Sequence, residues 1–596
     1  MLTIEKISDL LKYFNQEMSY LISKGKEFSE QHPKIARFLE INEEGSSDPH
    51  VQRLIESVAF LTAQMKREIN KNFPEYTHQL LRVLHPHLVA PIPSTSVVHL
   101  DMDLTQAVPP TGFHVPKKTK LFLNSENDTL YQFQTCYDTT LWPISIKTID
   151  ILDESSIGLT SEGSISKKAL RIRLESHGTS FKDLNLNSLD FFIHGSPLLA
   201  HRLYDALCAE NTPIYVWNPK TNTPITLPAL KILPLGFEQN YQCIPQQETS
   251  HPSYGNLIDY FSIPSKYLFF KLNGIPSAFF DDVIDLIIPI EMHEAFKQIT
   301  KDTLCLGCTP VINLFEKTTE PLKLDHTQFK YKLTPDIRYE STTEIHSIQK
   351  VFLINSISGE TSEIPNFFNH TENEQSKTKA QISWYIEKEP SKYEGFDTYM
   401  SFVDTNFDPQ LMQNATIFAE TICSNRISSH DIPDTASLHS FTELPVKNIR
   451  LKAPFSQQKT IIDTENSYWG LLKHLTVNHT SLMENNGQGL RDILTMYANP
   501  LDLHWISGIN NIEQEFVSRR LNRNDWRGFI QGIQITITLD QDKFKITSPL
   551  IFGGVLRQFL GMYTTLNSFI ELQFKWKQTG EIWKKWPPIS GRQHLV

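Results

Sequence analysis

The spacing of apolar residues changes period near residue 92, and no single kind of secondary structure fits both sides of that change. Helices bring residues three and four apart onto one face, whereas strands bring alternate residues together. On the N-terminal side, Leu10, Phe14, Met18 and Leu21, joined by Leu11 and Ile22, recur at helical spacing, while Lys12, Asn15, Glu17 and Ser19 take the opposite side. The segment Asn42 to Ser47 reads as a loop leading into Asp48-Pro49. That dipeptide is a good helix start, because Asp accepts orphan amide bonds and Pro in the first turn loses nothing. Val51, Leu54, Ile55, Val58, Leu61, Met65 and Ile69 then share one broad face, with Arg53, Glu56, Lys66 and Arg67 mostly away from it. Phe73-Pro74 is expected to end this helix, and a third is expected over Glu75 to Leu84, stopping at His85-Pro86.

Beyond Pro91-Ile92-Pro93 the period is two. Leu170, Ile172 and Leu174 alternate with Arg171, Arg173 and Glu175, although Val98, Leu100 and Met102 belong to a less regular run. Short apolar runs broken by Pro, Gly and Asn continue to about residue 450, interrupted by a helix over Pro197 to Leu207. Glu154 to Lys168 and His370 to Lys379 are polar and read as loops. Near the C-terminus, Ile533, Ile535, Ile537 and Leu539 alternate with Gln534, Thr536, Thr538 and Asp540. A helix with Ile551, Val555, Phe559 and Met562 on one side follows, and then an amphipathic strand over Ile570 to Trp576 whose Glu571 and Gln573 are expected to face water. The expected class is α+β and multidomain: an N-terminal helical bundle segment followed by several β-rich domains. The expected divisions are 1–92, 93–300, 301–450 and a C-terminal α+β part, 451–596, consistent with roughly 150 residues per domain.

Charge and cysteine usage narrow the function classes. With 56 basic against 67 acidic residues, the net charge of −11 argues against general attraction to nucleic acid or anionic lipid. Six cysteines in 596 residues suit a reducing compartment and buried free thiols. Met1 to Lys6 lacks the basic-then-apolar layout of a signal peptide, and the apolar stretch Val283 to Ile290 is too short to span a bilayer. A cytoplasmic chain is expected.

Few residues suggest chemistry. Cys305-Leu-Gly-Cys308 lacks the second pair a zinc site needs, and the strand-like Thr309 to Phe315 after it does not suit a redox motif. His78, His85, His87 and His99 have no evident carboxylate or thiol ligands converging on them. Asp336, Arg338 and Glu344 suit a structural ion pair, with a glycosidase-like acid/base role as the alternative. Gly553-Gly554 lacks the rest of a phosphate loop. Phe574-Lys-Trp-Lys with Trp583-Lys-Lys-Trp586 has the alternation of a solvated strand with packed aromatics, more than of a nucleic-acid platform. No metal, cofactor or catalytic residue is assigned.

The run Leu257 to Phe270 packs five aromatic residues around Pro264 and reads as an aromatic plug followed by a strand. It resembles the Leu-x-Glu-Tyr-Phe-x-x-Pro-x-Lys-Phe-x-Phe-Phe signature of the TssF (VasA-like) family of type VI secretion systems, with Asp259 in place of Glu. Other segments are similar in the same order. Tyr13 to Leu21 resembles Tyr-Tyr-Asn-x-Glu-Leu-x-Tyr-Leu, and Phe28 to Ala36 continues it. Asp48 to Glu56 resembles Asp-Pro-x-Val-Glu-Arg-Leu-x-Glu, with Gln52 in place of Glu, and Pro91-Ile92-Pro93-Ser94 resembles Pro-x-Pro-Ser. Cys308 to Phe315 resembles Cys-Thr-Pro-x-x-Asn-Leu-Phe, and Trp469 to Leu482 and Tyr563 to Phe569 also match. The chain departs at Cys423-Ser-Asn-Arg-Ile-Ser-Ser429, where the family has Cys-Thr-Asn-Arg-Asp-Leu-Pro.

This resemblance implies a structural, non-enzymatic wedge component of a contractile injection machine, similar to a phage baseplate. Two copies of this chain would join one TssG-like subunit, with TssK-like trimers attached. TssE-like and VgrG-like proteins would complete the baseplate and hub, which docks at the inner membrane. The residues expected to meet partners are Phe14, Met18, Leu21, Leu54, Val58, Leu61 and Met65, and self-association within the wedge is expected too. A β-rich carbohydrate-active enzyme or cell-wall hydrolase is the alternative.

Overall fold

The computed structural model describes residues 2–590 apart from 35–40, 43–44, 47, 85–89, 106–108, 125–128, 154–167, 209–213, 219–222, 227–229, 246–251, 276–279, 325–326, 356–358, 370–381, 405–414, 427–431, 460–478, 521–528 and 565–567. Almost all of both expected polar loops therefore lies outside the described residues; Lys168 already opens a strand. The fold is α+β with several sheets, and the chain divides into two compact units.

The first unit, Met1–Val89 with Ile462–Thr476, is carried by two long helices, α1 (Leu2–Gln31) and α2 (Pro49–Leu84). Asp48 accepts a bond from the His50 amide at 2.8 Å, so α2 begins as its capping signal predicts. The expected break at Phe73-Pro74 does not occur: α2 runs through Pro74 for 36 residues. An interior proline removes one backbone bond at a cost of about 3 kcal/mol. Ending the helix there would require a new one to nucleate immediately afterwards, which is itself unfavourable. Between the helices, Glu17 is nearly fully buried and accepts from Lys66 at 2.6 Å.

The second unit comprises Ala90–Ile461 and Val477–Val596. A closed barrel runs in the order Cys308–Ile312, Thr95–Met102, Val446–Leu451, Ser437–Ser440, Lys120–Asn124 and Leu130–Thr135, so it joins strands from both sides of residue 300. Thr95–Met102 lacks clean alternation because its first four residues are all buried. A five-stranded sheet contains Val283–Ile290 beside Lys168–Ser176, where Leu170, Ile172 and Leu174 point inward as expected. On the other face Arg171 pairs with Asp150 and Arg173 with Asp285, both at 2.6 Å. A four-stranded sheet orders Lys231–Pro234, Phe269–Asn273, Ser188–Ile193 and Leu304–Leu306.

Helices α3 (Pro197–Leu207), α4 (Pro252–Ser262), α5 (His479–Tyr497) and α6 (Leu503–Ile506) precede the C-terminal helix α7 (Pro549–Gly561). The predicted strand–helix–strand unit forms: Phe529–Leu539 and Phe569–Trp576 pair in parallel, with α7 connecting them. Ser548 caps α7 by accepting from the Ile551 amide, with Pro549 in its first turn. Gly553 and Gly554 lie near the start of α7, where added Cβ atoms would come within 2.2 Å of Trp586 and 2.5 Å of Phe237. Close packing accounts for this pair of glycines. One apolar core extends from Ile144 and Leu170 through Phe270 to Phe552 and Phe574, joining the middle of the chain to its C-terminal part.

One expected wet face proves covered. Glu571 is 2% and Gln573 6% exposed. Arg519 and Lys585 reach over the strand to Glu571 at 2.5 and 3.1 Å, and Gln573 donates to Thr536. Long cationic side chains close this face while supplying its hydrogen bonds, a closure that strand periodicity alone cannot register.

Candidate functional site

The aromatic run is a structural junction. Leu257 to Ser262 lies in α4, Pro264–Tyr267 forms a single 3₁₀ turn, and Phe269–Asn273 enters the four-stranded sheet. Tyr260, Phe261, Tyr267, Phe269 and Phe270 are all buried, with Phe270 stacked on Phe191 at 5.1 Å between centroids. Beneath them lies an ion pair, Lys266 Nζ to Asp259 Oδ2 at 2.5 Å, both residues fully buried. The Cys243 amide donates to the same carboxylate oxygen, and Lys266 donates to the Tyr241 carbonyl. Tyr137 and Tyr267 add hydroxyl bonds to the Lys266 and Asn256 carbonyls. The charges are thus neutralised internally, and the residues that carry the signature are spent on holding α4 against the sheet.

A second signature segment makes another junction. The expected single strand Thr309 to Phe315 divides at Asn313-Leu314, because Asn313 turns the chain out of the barrel. Its side-chain amide donates to the Gln132 carbonyl and to Asn425 Oδ1, while its Oδ1 accepts from the Asn425 amide at 2.6 Å. Arg426 then donates to the Thr343, Glu394 and Phe396 carbonyls and pairs with Asp397 at 2.8 Å. Ile427, Ser428 and Ser429, where the chain departs from the family pattern, lie outside the described residues, as does most of Trp469 to Leu482.

The residues considered for chemistry do not converge. Asp336 caps a short turn and pairs with Lys317 at 2.6 Å, which holds its carboxyl below the usual range. Glu344 is buried elsewhere, bonded to Gln458, and burial raises its pKa. This arrangement gives the hydrolase alternative no support. His85 and His87 lie outside the described residues, and His99 sits on a barrel strand with its pKa lowered by burial. Among the described residues no group of three or more His, Cys, Asp or Glu is arranged to hold a metal ion. Phe574 and Trp586 pack together at 4.7 Å, and Trp576 against Trp583 at 5.3 Å, so these rings face one another instead of offering a stacking platform.

The first unit also exposes large apolar side chains. Along α2, Ala59 and Ala63 are fully buried, whereas Leu54, Val58, Leu61 and Met65 are 67, 44, 56 and 66% exposed. The broad face expected from sequence is thus split, with small residues inside and large ones outside. The exposed four are spaced by four, three and four, the spacing of a helix–helix seam. On α1, Phe14, Met18 and Leu21 are half-buried, while Leu11 and Tyr20 are each 57% exposed. Within the second unit, Phe516 and Phe529 stand exposed on the Ile509–Arg520 and Phe529–Leu539 strands. Sequence reading did not single them out; the available signal was an aromatic set among polar neighbours, Glu513-Gln-Glu-Phe516.

The chain is 28% identical, over 98% of both lengths, to the type VI secretion system component TssF1 of Pseudomonas aeruginosa strain PAO1. Its fold is similar to a chain of a type VI secretion TssK-TssF-TssG baseplate subcomplex, with a TM-score of 0.74 and 20% identity over 92% of this chain and 99% of that one. It is also similar to a chain of a type VI secretion baseplate complex, with a TM-score of 0.59 and 19% identity over 97% and 99%. The sequence model described as "Type VI secretion system, TssF" matches residues 7–593, and the chain therefore belongs to the TssF family.

Proposed function

We propose that this chain, a TssF-family baseplate component of a type VI secretion system, works as a non-catalytic wedge subunit that joins other subunits through exposed apolar helix surface. Two copies meet one TssG-like subunit, TssK-like trimers attach, and the assembly surrounds a TssE-like and VgrG-like hub. It acts in the bacterial cytoplasm and reaches the inner membrane only through the docked baseplate. One similar solved chain comes from a complex named for TssK, TssF and TssG, which supports the first two partners. Among the described residues no helix is long and apolar enough to cross a membrane, which agrees with indirect docking.

The observation that carries this reading is the exposed Leu54, Val58, Leu61 and Met65 stripe on α2. Four large apolar side chains in helical register gain little in water, and each, already about half covered, contributes on the order of 1 kcal/mol when a partner covers the rest. Phe14, Met18 and Leu21 on α1 extend the contact. Leu54→Asp and Leu61→Asp test the point. Each variant should lose co-purification with the TssG-like subunit while the melting temperature of the isolated chain stays unchanged. Undiminished complex in both variants would remove the stripe from the interface.

A further inference from the structure

The unused dithiol offers a separate function. Cys305 lies in the middle of the edge strand Leu304–Leu306 of the four-stranded sheet, paired with Phe192, and Cys308 begins a barrel strand opposite His99. Between them Gly307 turns at φ +64°, a left-handed conformation that favours glycine, and an added Cβ would meet the Leu100 carbonyl at 3.1 Å. The two cysteines therefore flank the corner where one sheet passes into the next, the Cys305 thiol donating to the Asp302 carbonyl at 3.4 Å and the Cys308 thiol to the Leu306 carbonyl at 3.8 Å. A cavity of about 210 Å³ opens beside them, lined in part by His99, Lys301, Asp302, Cys305 and Lys452.

The environments of the two thiols differ. The Cys305 pKa is lowered to about 7, chiefly by the neighbouring Cys308 thiol, with the Lys452 ammonium adding to the effect and burial and Asp302 opposing it. Burial pushes the Cys308 thiol well up. An attacking sulfur needs thiolate character and access, and a resolving sulfur needs only proximity.

We propose that Cys305 and Cys308 form a peroxide-sensitive pair, with Cys305 attacking and Cys308 resolving, that closes reversibly to a disulfide across the Gly307 corner. The Cys305 thiolate attacks one oxygen of hydrogen peroxide; an S–O bond forms, the O–O bond breaks, and the departing hydroxide takes a proton to become water. Cys308 then attacks the sulfenic sulfur; an S–S bond forms, the S–O bond breaks, and the Cys308 proton leaves with the oxygen as a second water. Two thiols are oxidised and one peroxide is reduced to two waters. The product fastens the four-stranded sheet to the barrel at their shared corner.

The test uses the reduced full-length protein, treated with hydrogen peroxide at pH 7, quenched by alkylation at intervals and digested for mass spectrometry. The expected result is loss of two hydrogens from the peptide holding both cysteines, reversed by dithiothreitol, with Cys136, Cys208, Cys243 and Cys423 still reduced. Half-ionised at pH 7 but less nucleophilic, Cys305 should react roughly sixfold faster than an equally accessible thiol of pKa 9.0. Lys452→Gln should slow it. Cys308→Ser should leave a sulfenic acid at Cys305 that dimedone traps, whereas Cys305→Ser should leave Cys308 unoxidised. Retention of both thiols, oxidation of all six cysteines at one rate, or sulfinate at Cys305 without the disulfide would each overturn the proposal.

Discussion

Residue-scale energetics are dominated by buried charge. Asp259 and Lys266 lie out of water with 2.5 Å between their charged atoms, and such a pair gains little over an apolar replacement, yet removing one partner strands the other. Lys266→Met is therefore expected to destabilise the protein by about 3–5 kcal/mol, measured by chemical unfolding. Adding Asp259→Leu should recover part of that loss. Recovery stays incomplete because the Cys243 amide then lacks its carboxylate acceptor, at about 1–3 kcal/mol. Asp205 supplies a pH test. Burial raises its pKa to about 7, with Ser548 hydrogen-bonded to it. Against about 3.9 when unfolded, the native state holds an extra proton between pH 4 and 7. This group's contribution is thus fully favourable below about pH 4, is lost as pH rises to 7, and stays lost above. Asp205→Asn should flatten that fall, so that variant minus wild-type stability climbs by order of 1 kcal/mol per pH unit across the window.

Elements show what pattern can and cannot convey. The helix expected over Pro197 to Leu207 forms as α3, capped by Ser196, and the Phe529–Leu539, α7 and Phe569–Trp576 unit forms where periodicity places it. The helix-breaking rule for proline failed at Pro74, where the cost of nucleating a new helix favoured continuation, and periodicity failed at Glu571, where Arg519 and Lys585 arrive from other strands. Neither outcome is encoded within a single window. The candidate interface was legible only in outline. Leu54, Val58, Leu61 and Met65 were identified by spacing, but which residues of that broad face turn inward depended on Ala59 and Ala63, whose small side chains allow close approach. That gives an element-scale expectation. Ala59→Leu or Ala63→Leu should overpack the buried side of α2 and cost about 1–3 kcal/mol. Limited proteolysis should then cut first within residues 1–89. Equal protection in the variants would mean the alanines fill no tight contact.

At the scale of the whole molecule, long-range pairing supplies the rigidity an assembly component needs. The barrel joins strands on both sides of residue 300, and the largest core joins residues near 144 to residues near 586. Load applied at one sheet of the second unit is therefore shared across packed side chains instead of passing along a linker. Such a body suits repeated docking, in which each copy contributes the same surfaces to a closed assembly. If two copies share one TssG-like subunit, the stripe on α2 is used twice in unlike surroundings, and the complex must stop at a defined size. Native mass measurement of the co-expressed chains should then give one species with two copies of this chain per TssG-like partner. Leu54→Asp should shift the mass toward free chain without producing intermediate ladders. An open series of masses would instead mean that each added copy leaves a fresh site for the next, the behaviour of a polymerising sheath and not of a wedge.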